Sequence, residues 1–162
     1  MSDTATTALA EGDKAPDFSM PASGGRTVSL AGQKGRPFLL YFYPKADTPG
    51  CTRQACGLQE ALPQLGKLGL DVIGVSPDKM KPIEAFATKF NLSFPLASDE
   101  TKAVAQAYGV WVEKSMYGKT YMGMERTSFL IDGTGKIARI WRKVKVDRHA
   151  ADVMAAAEAI KP

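Results

Sequence analysis

The apolar positions of this 162-residue chain follow two periods. Phe38-Leu39-Leu40-Tyr41-Phe42-Tyr43 and Leu70-Asp71-Val72-Ile73-Gly74-Val75-Ser76 are short runs rich in aromatic and β-branched residues, which predicts two buried strands. Arg26 to Leu30 alternates, as a short half-exposed strand does. Thr127 to Ile131, the turn residues Asp132-Gly133-Thr134-Gly135, and Lys136 to Trp141 predict a β-hairpin. Elsewhere the spacing is helical. Ala55, Leu58, Ala61 and Leu62 fall on a helix that starts near Pro49, and Pro63 should kink or end it. Ile83, Phe86, Ala87 and Phe90 recur at helical spacing after Pro82, a residue suited to a first turn. Asp99 to Tyr108 predicts a shorter helix, with Asp99 as N-cap and Gly109 as its stop. Ala150 to Ile160 predicts an alanine-rich closing helix.

The connecting stretches complete the outline. Residues 1–11 are small and polar and are expected to form a flexible tail. Gly12 to Pro21 is an extended lead-in, and Gly32 to Arg36 is a turn. Val112 to Glu125 is expected to be a loop around Gly118 and Gly123. It carries Met116, Tyr117, Tyr121, Met122 and Met124, so it should pack over something, either its own core or a substrate. The order β, then βαβα, then a hairpin and a helix predicts an α/β protein with a mixed central sheet flanked by helices. The length suits one domain, spanning residues 12–162.

Composition excludes several classes. No apolar run approaches the ~20 residues of a membrane helix. The first residues have neither a basic nor an apolar signal region, so a secretory leader is not expected. Two cysteines in this setting fit a reducing, cytoplasmic compartment and a redox pair, not a disulfide framework. The net charge of +4 raises a nucleic-acid reading. The most basic run, Lys136 to Arg148, is interleaved with Ile137, Ile140, Trp141, Val144 and Val146. That is the pattern of a strand with one wet face, so no nucleic-acid partner is expected. His149, the only histidine, falls where the last helix should begin and is expected at the surface. One histidine and two cysteines outside a C-x-x-C pair do not complete a zinc site, so no metal is expected.

The candidate chemistry lies in Tyr41 to Glu60, YFYPKADTPGCTRQACGLQE. Pro44 stops the strand, and Asp47, Thr48, Pro49 and Gly50 are turn and cap residues. Cys51 then falls in the first helical turn, near unpaired N–H groups and the positive end of the helix dipole. Both favour a thiolate, the nucleophilic form of cysteine. Cys56 lies five residues on. That step rises ~7.5 Å and turns ~140° along a helix, which separates the Cα atoms by roughly 8–9 Å. An unstrained disulfide spans at most ~7 Å. A Cys51–Cys56 bond therefore requires the first turns to unwind; otherwise the two are small hydrophobes sharing a helix.

Pro44-Lys45-Ala46-Asp47-Thr48-Pro49-Gly50-Cys51 fits the P-x-x-x-T-x-x-C pattern of the peroxiredoxins. The longer run YPKADTPGCTRQACGLQE resembles the bacterioferritin comigratory protein, or peroxiredoxin Q, branch. So do GDKAPDF (Gly12 to Phe18), GVSPD (Gly74 to Asp78), FPLASDE (Phe94 to Glu100), AYGVW (Ala107 to Trp111) and YGKTYMGMERTSFLIDGTGKI (Tyr117 to Ile137). The resemblance covers nearly the whole chain from residue 11.

The resemblance implies a thioredoxin-like fold and peroxidase activity toward hydrogen peroxide and organic hydroperoxides. Cys51 matches the attacking cysteine, which becomes a sulfenic acid. Arg126 matches the family's active-site arginine, whose fixed charge and several donors would stabilise the reacting oxygens. Thr48 would orient the peroxide through its hydroxyl, and Pro44 would shield the sulfur from water. The plainer alternatives are that Thr48 only caps the helix and that Arg126 makes a surface ion pair. Cys56 matches the resolving cysteine of those members that carry it five residues downstream, which implies an intramolecular disulfide reduced by thioredoxin or a similar dithiol protein. No cofactor is implied, because sulfur carries the chemistry. The branch favours a monomer or weak dimer over a ring. Two other readings remain: a thiol–disulfide carrier, which would use C-x-x-C, and a redox-sensing or holdase-like protein without turnover.

Overall fold

The structure, a computed structural model, describes residues 9–160. The chain runs through β1 (Ser19–Ala22), β2 (Arg26–Ser29), β3 (Phe38–Phe42), α1 (Pro49–Lys67), β4 (Asp71–Ser76), α2 (Met80–Lys89) and β5 (Leu96–Ser98). It continues through α3 (Ala103–Ala107), β6 (Trp111–Met116), β7 (Lys119–Met124), β8 (Thr127–Ile131), β9 (Ile137–Trp141) and α4 (Val146–Ile160). A seven-stranded sheet has the order β2-β1-β5-β4-β3-β8-β9. The strands β3, β4 and β5 are parallel neighbours, while β8 and β9 add antiparallel to the other side of β3. Among the described residues no helix is long and apolar enough to cross a membrane.

The central strand β3 is buried at every position, which is why its sequence is continuously apolar instead of alternating. Successive side chains still point to opposite faces. Leu39 and Tyr41 join Leu58 of α1, Phe86 of α2 and Val153 of α4 on one side. Phe38, Leu40 and Phe42 join Tyr108 and Phe129 on the other. Truncating a wholly buried side chain such as Leu40 to alanine costs about 2–5 kcal/mol. Gly74 stands opposite Tyr41 in the β3–β4 register. A Cβ there would lie 2.9 Å from the Tyr41 ring, so only glycine leaves that ring its place under α1.

Four expectations change. Pro63 does not end α1, which runs on to Lys67. Pro63 faces solvent, where the Gln59 carbonyl it leaves without an N–H partner can be hydrated, and Leu65 beyond it is fully buried. Burial of that leucine, worth about 1.5–3 kcal/mol, offsets much of the proline's cost. The helix expected from Asp99 shrinks to Ala103–Ala107. Asp99 still caps it, but from a distance. Its carboxylate accepts the N–H groups of Val104 (3.2 Å) and Ala105 (2.7 Å) across a turn in which Lys102 is left-handed.

Val112 to Glu125 is a β-hairpin, not a loop. Tyr117 and Gly118 both have positive φ, 53° and 77°, which makes a two-residue turn matching the strand twist. Met124 is buried at its base, but Met116, Tyr117, Tyr121 and Met122 are exposed, so most of its large side chains do not pack over a core. Of the expected tail, residues 1–8 lie outside the described residues, while attachment begins before Gly12. The Leu9 carbonyl accepts Arg142 Nη2–H at 2.7 Å, and the Glu11 carboxylate accepts Ile140 N–H at 3.3 Å. The short strand β5 was not legible in the sequence.

Candidate active site

The end of β3 leads directly into the site. Tyr43 keeps one more bond to the sheet, its N–H reaching the Val75 carbonyl at 2.9 Å. Pro44, half-buried, begins the loop to α1. Asp78, just past β4, pins that loop by accepting the Ala46 N–H at 2.7 Å and the Ser76 hydroxyl at 2.9 Å. Thr48 occupies the cap position with extended backbone but makes no side-chain cap. Its hydroxyl turns back and donates to the Lys45 carbonyl at 2.9 Å. Pro49 opens the helix, where its fixed φ is favourable and its missing N–H costs nothing.

Cys51 sits in that first turn, only 1% exposed. Arg126, between β7 and β8, approaches it from the end of the strand that pairs with β3. Its Nη2 donates to Cys51 Sγ at 3.4 Å and its Nη1 donates to Gln54 Oε1 at 2.7 Å. Gly50 makes room for this approach, since a Cβ at that position would lie 3.3 Å from Nη2. Thus one planar guanidinium bridges the sulfur and an amide on the same helix face, three residues apart. On its open side Arg126 lines a cleft of about 570 Å³ with Val112, Lys114, Glu125 and Lys143. Lys114 Nζ donates to the Met124 carbonyl at 2.6 Å, and burial lowers its pKa.

Behind Gln54 lies His149, which corrects the expectation of a surface position. It is 2% exposed. Helix α4 starts at Val146, so His149 falls in its first turn on the side facing α1 and β8. The ring packs 6.0 Å from Tyr41 and edge-on at 6.2 Å from Trp141. Its Nδ1 lies 3.2 Å from Gln54 Nε2 and its Nε2 lies 2.8 Å from Ser128 Oγ. Burial, and then the nearby Arg126 charge, push the imidazole down to about 4. The sequence did offer a faint signal for Gln54, one helical turn after Cys51, and for Ser128, two residues after Arg126. Nothing local pointed to His149. Beneath α1, the Tyr41 hydroxyl is buried with no hydrogen-bond partner among the described residues, and burial raises the Tyr41 and Tyr43 phenols.

Cys56 is not drawn into this group. Helix α1 is unbroken across both cysteines, and both thiols are free. Cys56 is half-buried, and its thiol is pushed up, first by burial and then by Glu60 one turn along. The structure therefore brings Cys51 and Arg126 together, adds Gln54, His149 and Ser128, keeps Pro44 and Thr48 in the adjoining loop, and leaves Cys56 apart. A cationic two-pronged donor held against a buried sulfur suits chemistry in which negative charge moves between sulfur and an oxygen ligand.

Comparison with known proteins agrees with this chemistry. A sequence model described as the AhpC/TSA family matches residues 11–140. The Escherichia coli (strain K12) peroxiredoxin Bcp is 50% identical over 141 residues, 87% of this chain and 90% of that protein. Xanthomonas campestris peroxiredoxin Q superposes with a TM-score of 0.86 at 40% identity, covering 90% of this chain and 92% of that one. The Xanthomonas campestris bacterioferritin comigratory protein, whose structures address its alkyl peroxide reduction activity, superposes with a TM-score of 0.85 at 39% identity and covers the same shares, 90% and 92%. The thioredoxin-like fold expected above is the fold of these neighbours. The chain belongs to the AhpC/TSA family: it is a peroxiredoxin, a peroxidase of the Bcp and peroxiredoxin Q branch.

Proposed function

We propose that Cys51 is the peroxidatic residue and that this chain works by an intramolecular two-cysteine cycle. The Cys51 thiolate attacks the terminal oxygen of a hydroperoxide. The S–O bond forms as the O–O bond breaks, and the leaving alkoxide or hydroxide takes a proton to become an alcohol or water. Sulfur is oxidised to sulfenic acid and the peroxide is reduced. Arg126 stabilises the charge spreading over the two oxygens. The Thr48 hydroxyl, whose proton goes to Lys45, keeps lone pairs to accept from the peroxide O–H. Pro44 covers the sulfur from the solvent side. Hydrogen peroxide and organic hydroperoxides are the substrates, and the alkyl peroxide activity of the Xanthomonas campestris relative supports the second class.

Cys56 then attacks the sulfenic sulfur, forming the Cys51–Cys56 disulfide and releasing water. The intact helix between them requires residues from about Cys51 to Leu58 to unwind in each turnover. Gly57, a poor helix former, lowers that cost. A thioredoxin-type dithiol returns the disulfide to two thiols, in a cytoplasm that keeps such a reductant available. The catalytic unit is residues 12–162, working as a monomer or weak dimer. The observation that carries this reading is the 3.4 Å contact between Arg126 Nη2 and Cys51 Sγ. Peroxide consumption by the reduced protein with thioredoxin, thioredoxin reductase and NADPH tests it. Many turnovers per chain are expected; consumption that stops at one equivalent would mean a sensor or holdase. Mass spectrometry of the oxidised chain should find the Cys51–Cys56 link. Finding only intermolecular Cys51–Cys51 links would remove the resolving role of Cys56.

A further inference from the structure

Behind Cys51 and Arg126 the interior holds further polar groups that the reaction does not itself require. From Arg126 the chain runs through Gln54 and His149 to Ser128 and crosses from α1 to α4 to β8. Gln54, Ser128 and His149 are 1%, 0% and 2% exposed. An apolar filling would have avoided the cost of burying three polar side chains. We propose that His149 is a positioning residue for the peroxidase reaction, which, as the neutral imidazole carrying its proton on Nε2, fixes the Gln54 amide and through it the Arg126 guanidinium. The inference rests on the reading of Arg126 and Cys51 given above.

The donor inventory sets the polarity of the chain. Arginine can only donate, so the Gln54 oxygen must face Arg126 Nη1 at 2.7 Å. The Gln54 NH₂ then faces His149 Nδ1 at 3.2 Å, and it too can only donate. Nδ1 must therefore accept and carry no proton. In a neutral ring the proton sits on Nε2, which donates to Ser128 Oγ at 2.8 Å. An imidazolium, or the other neutral tautomer, would set an N–H against the amide NH₂. Turning the amide over to relieve that clash would set the same NH₂ against the guanidinium. Only one arrangement satisfies every link, and it holds Nη1 so that Nη2 remains aimed at the sulfur.

The test uses the histidine's uniqueness in the chain, which leaves one imidazole to observe in untagged protein. Nitrogen NMR shifts at neutral pH should show Nδ1 unprotonated and Nε2 protonated; a proton on Nδ1 overturns the assignment. Stopped-flow kinetics of reduced protein with hydrogen peroxide tests the consequence. His149→Leu fills the space without an acceptor and should lower the second-order rate roughly tenfold, the scale of a slightly misplaced catalytic group. His149→Asn keeps an acceptor at the Nδ1 position and should stay within about threefold of wild type. Equal rates in the two variants would refute the role. In a Gln54→Leu background, His149→Leu should add less than about twofold, since the effect passes through Gln54. Full multiplication of the two losses would show that it does not. If His149→Leu fails to fold, the tautomer and the Asn variant still decide. The two possible failures are distinct. A wild type inert to peroxide overturns the peroxidase reading of Cys51, while a protonated Nδ1 overturns the role of His149 alone.

Discussion

Two turns of the same helix hold the two cysteines in opposite surroundings. The first turn of α1 buries Cys51 to 1% exposure and sets Arg126 against its sulfur at 3.4 Å. The next turn leaves Cys56 half-buried, with Glu60 one turn further along and its thiol raised by burial and by that carboxylate. Residue type and helix are shared, so neither decides the chemistry. What differs is which group reaches each thiol from elsewhere in the chain: a cation 75 residues away for one, an anion from its own helix for the other. In the proposed cycle this asymmetry assigns the roles. A Cys56 kept as thiol does not compete for peroxide, and it becomes useful only after the helix opens.

The strongest way to break this comparison is to exchange the cysteines' fates. Cys51→Ser should abolish turnover in the coupled assay, while Cys56→Ser should keep the first reaction with peroxide within about threefold and accumulate sulfenic acid, prone to overoxidation. Substantial turnover by Cys51→Ser would reverse the assignment. The next largest effect concerns the buried histidine that lies behind the first turn and not the second. Its folded-state value of about 4 lies below the ordinary 6.5. Between those values the unfolded chain binds a proton that the fold excludes, so stability falls as pH falls from about 6.5 to 4 and levels off below. The loss is on the order of 3 kcal/mol. Urea melts from pH 7 to 4.5 should show this slope in the wild type and lose it in a folded His149→Leu variant. Asp71, held low by Arg36, adds its own loss only at or below the ordinary carboxylate range, so the two windows separate.

Arg126→Lys comes next. It keeps the charge of the first turn but replaces a fork that spans sulfur and amide with a single ammonium. The rate with peroxide should fall by about tenfold or more. A near-native rate would show that charge alone distinguishes the two turns. The smallest effect sharpens the other side of the comparison. In a Cys51→Ser background, Glu60→Gln should shift the pH profile of Cys56 alkylation downward, leaving the larger influence of burial in place. An unchanged profile would mean that burial acts alone.

Local pattern carried far. The continuous apolar run at Phe38 to Tyr43 announced the central strand, because a strand covered on both faces has no polar position to spare. Pro49 and the residues before it marked the start of α1, and Asp132 to Gly135 marked the β8–β9 turn, because caps and turns depend on a few adjacent residues. Cys51 and Arg126 stood out through motif resemblance, since their spacing in sequence says nothing of contact. Where competing local signals met, reading failed. Tyr117-Gly118 formed a tight hairpin turn in what read as a loop, and Pro63 was carried inside a helix by the burial of Leu65.

The sequence by itself determined most of the elements, their apolar faces and the presence of a thiol in a first helical turn. Each is set by residues within a turn or two of one another, where propensity and periodicity act. Only the tertiary structure decided that Arg126 meets Cys51, that Gln54 ties Arg126 to His149, and that His149 is buried. These contacts join residues 72 to 95 apart, and β8 and Ser128 close the chain. A hydrogen bond's polarity depends on which donors and acceptors packing brings face to face. A histidine at a helix start reads as a surface residue until α4 lays it against α1 and β8, where burial leaves the neutral ring as the stable form.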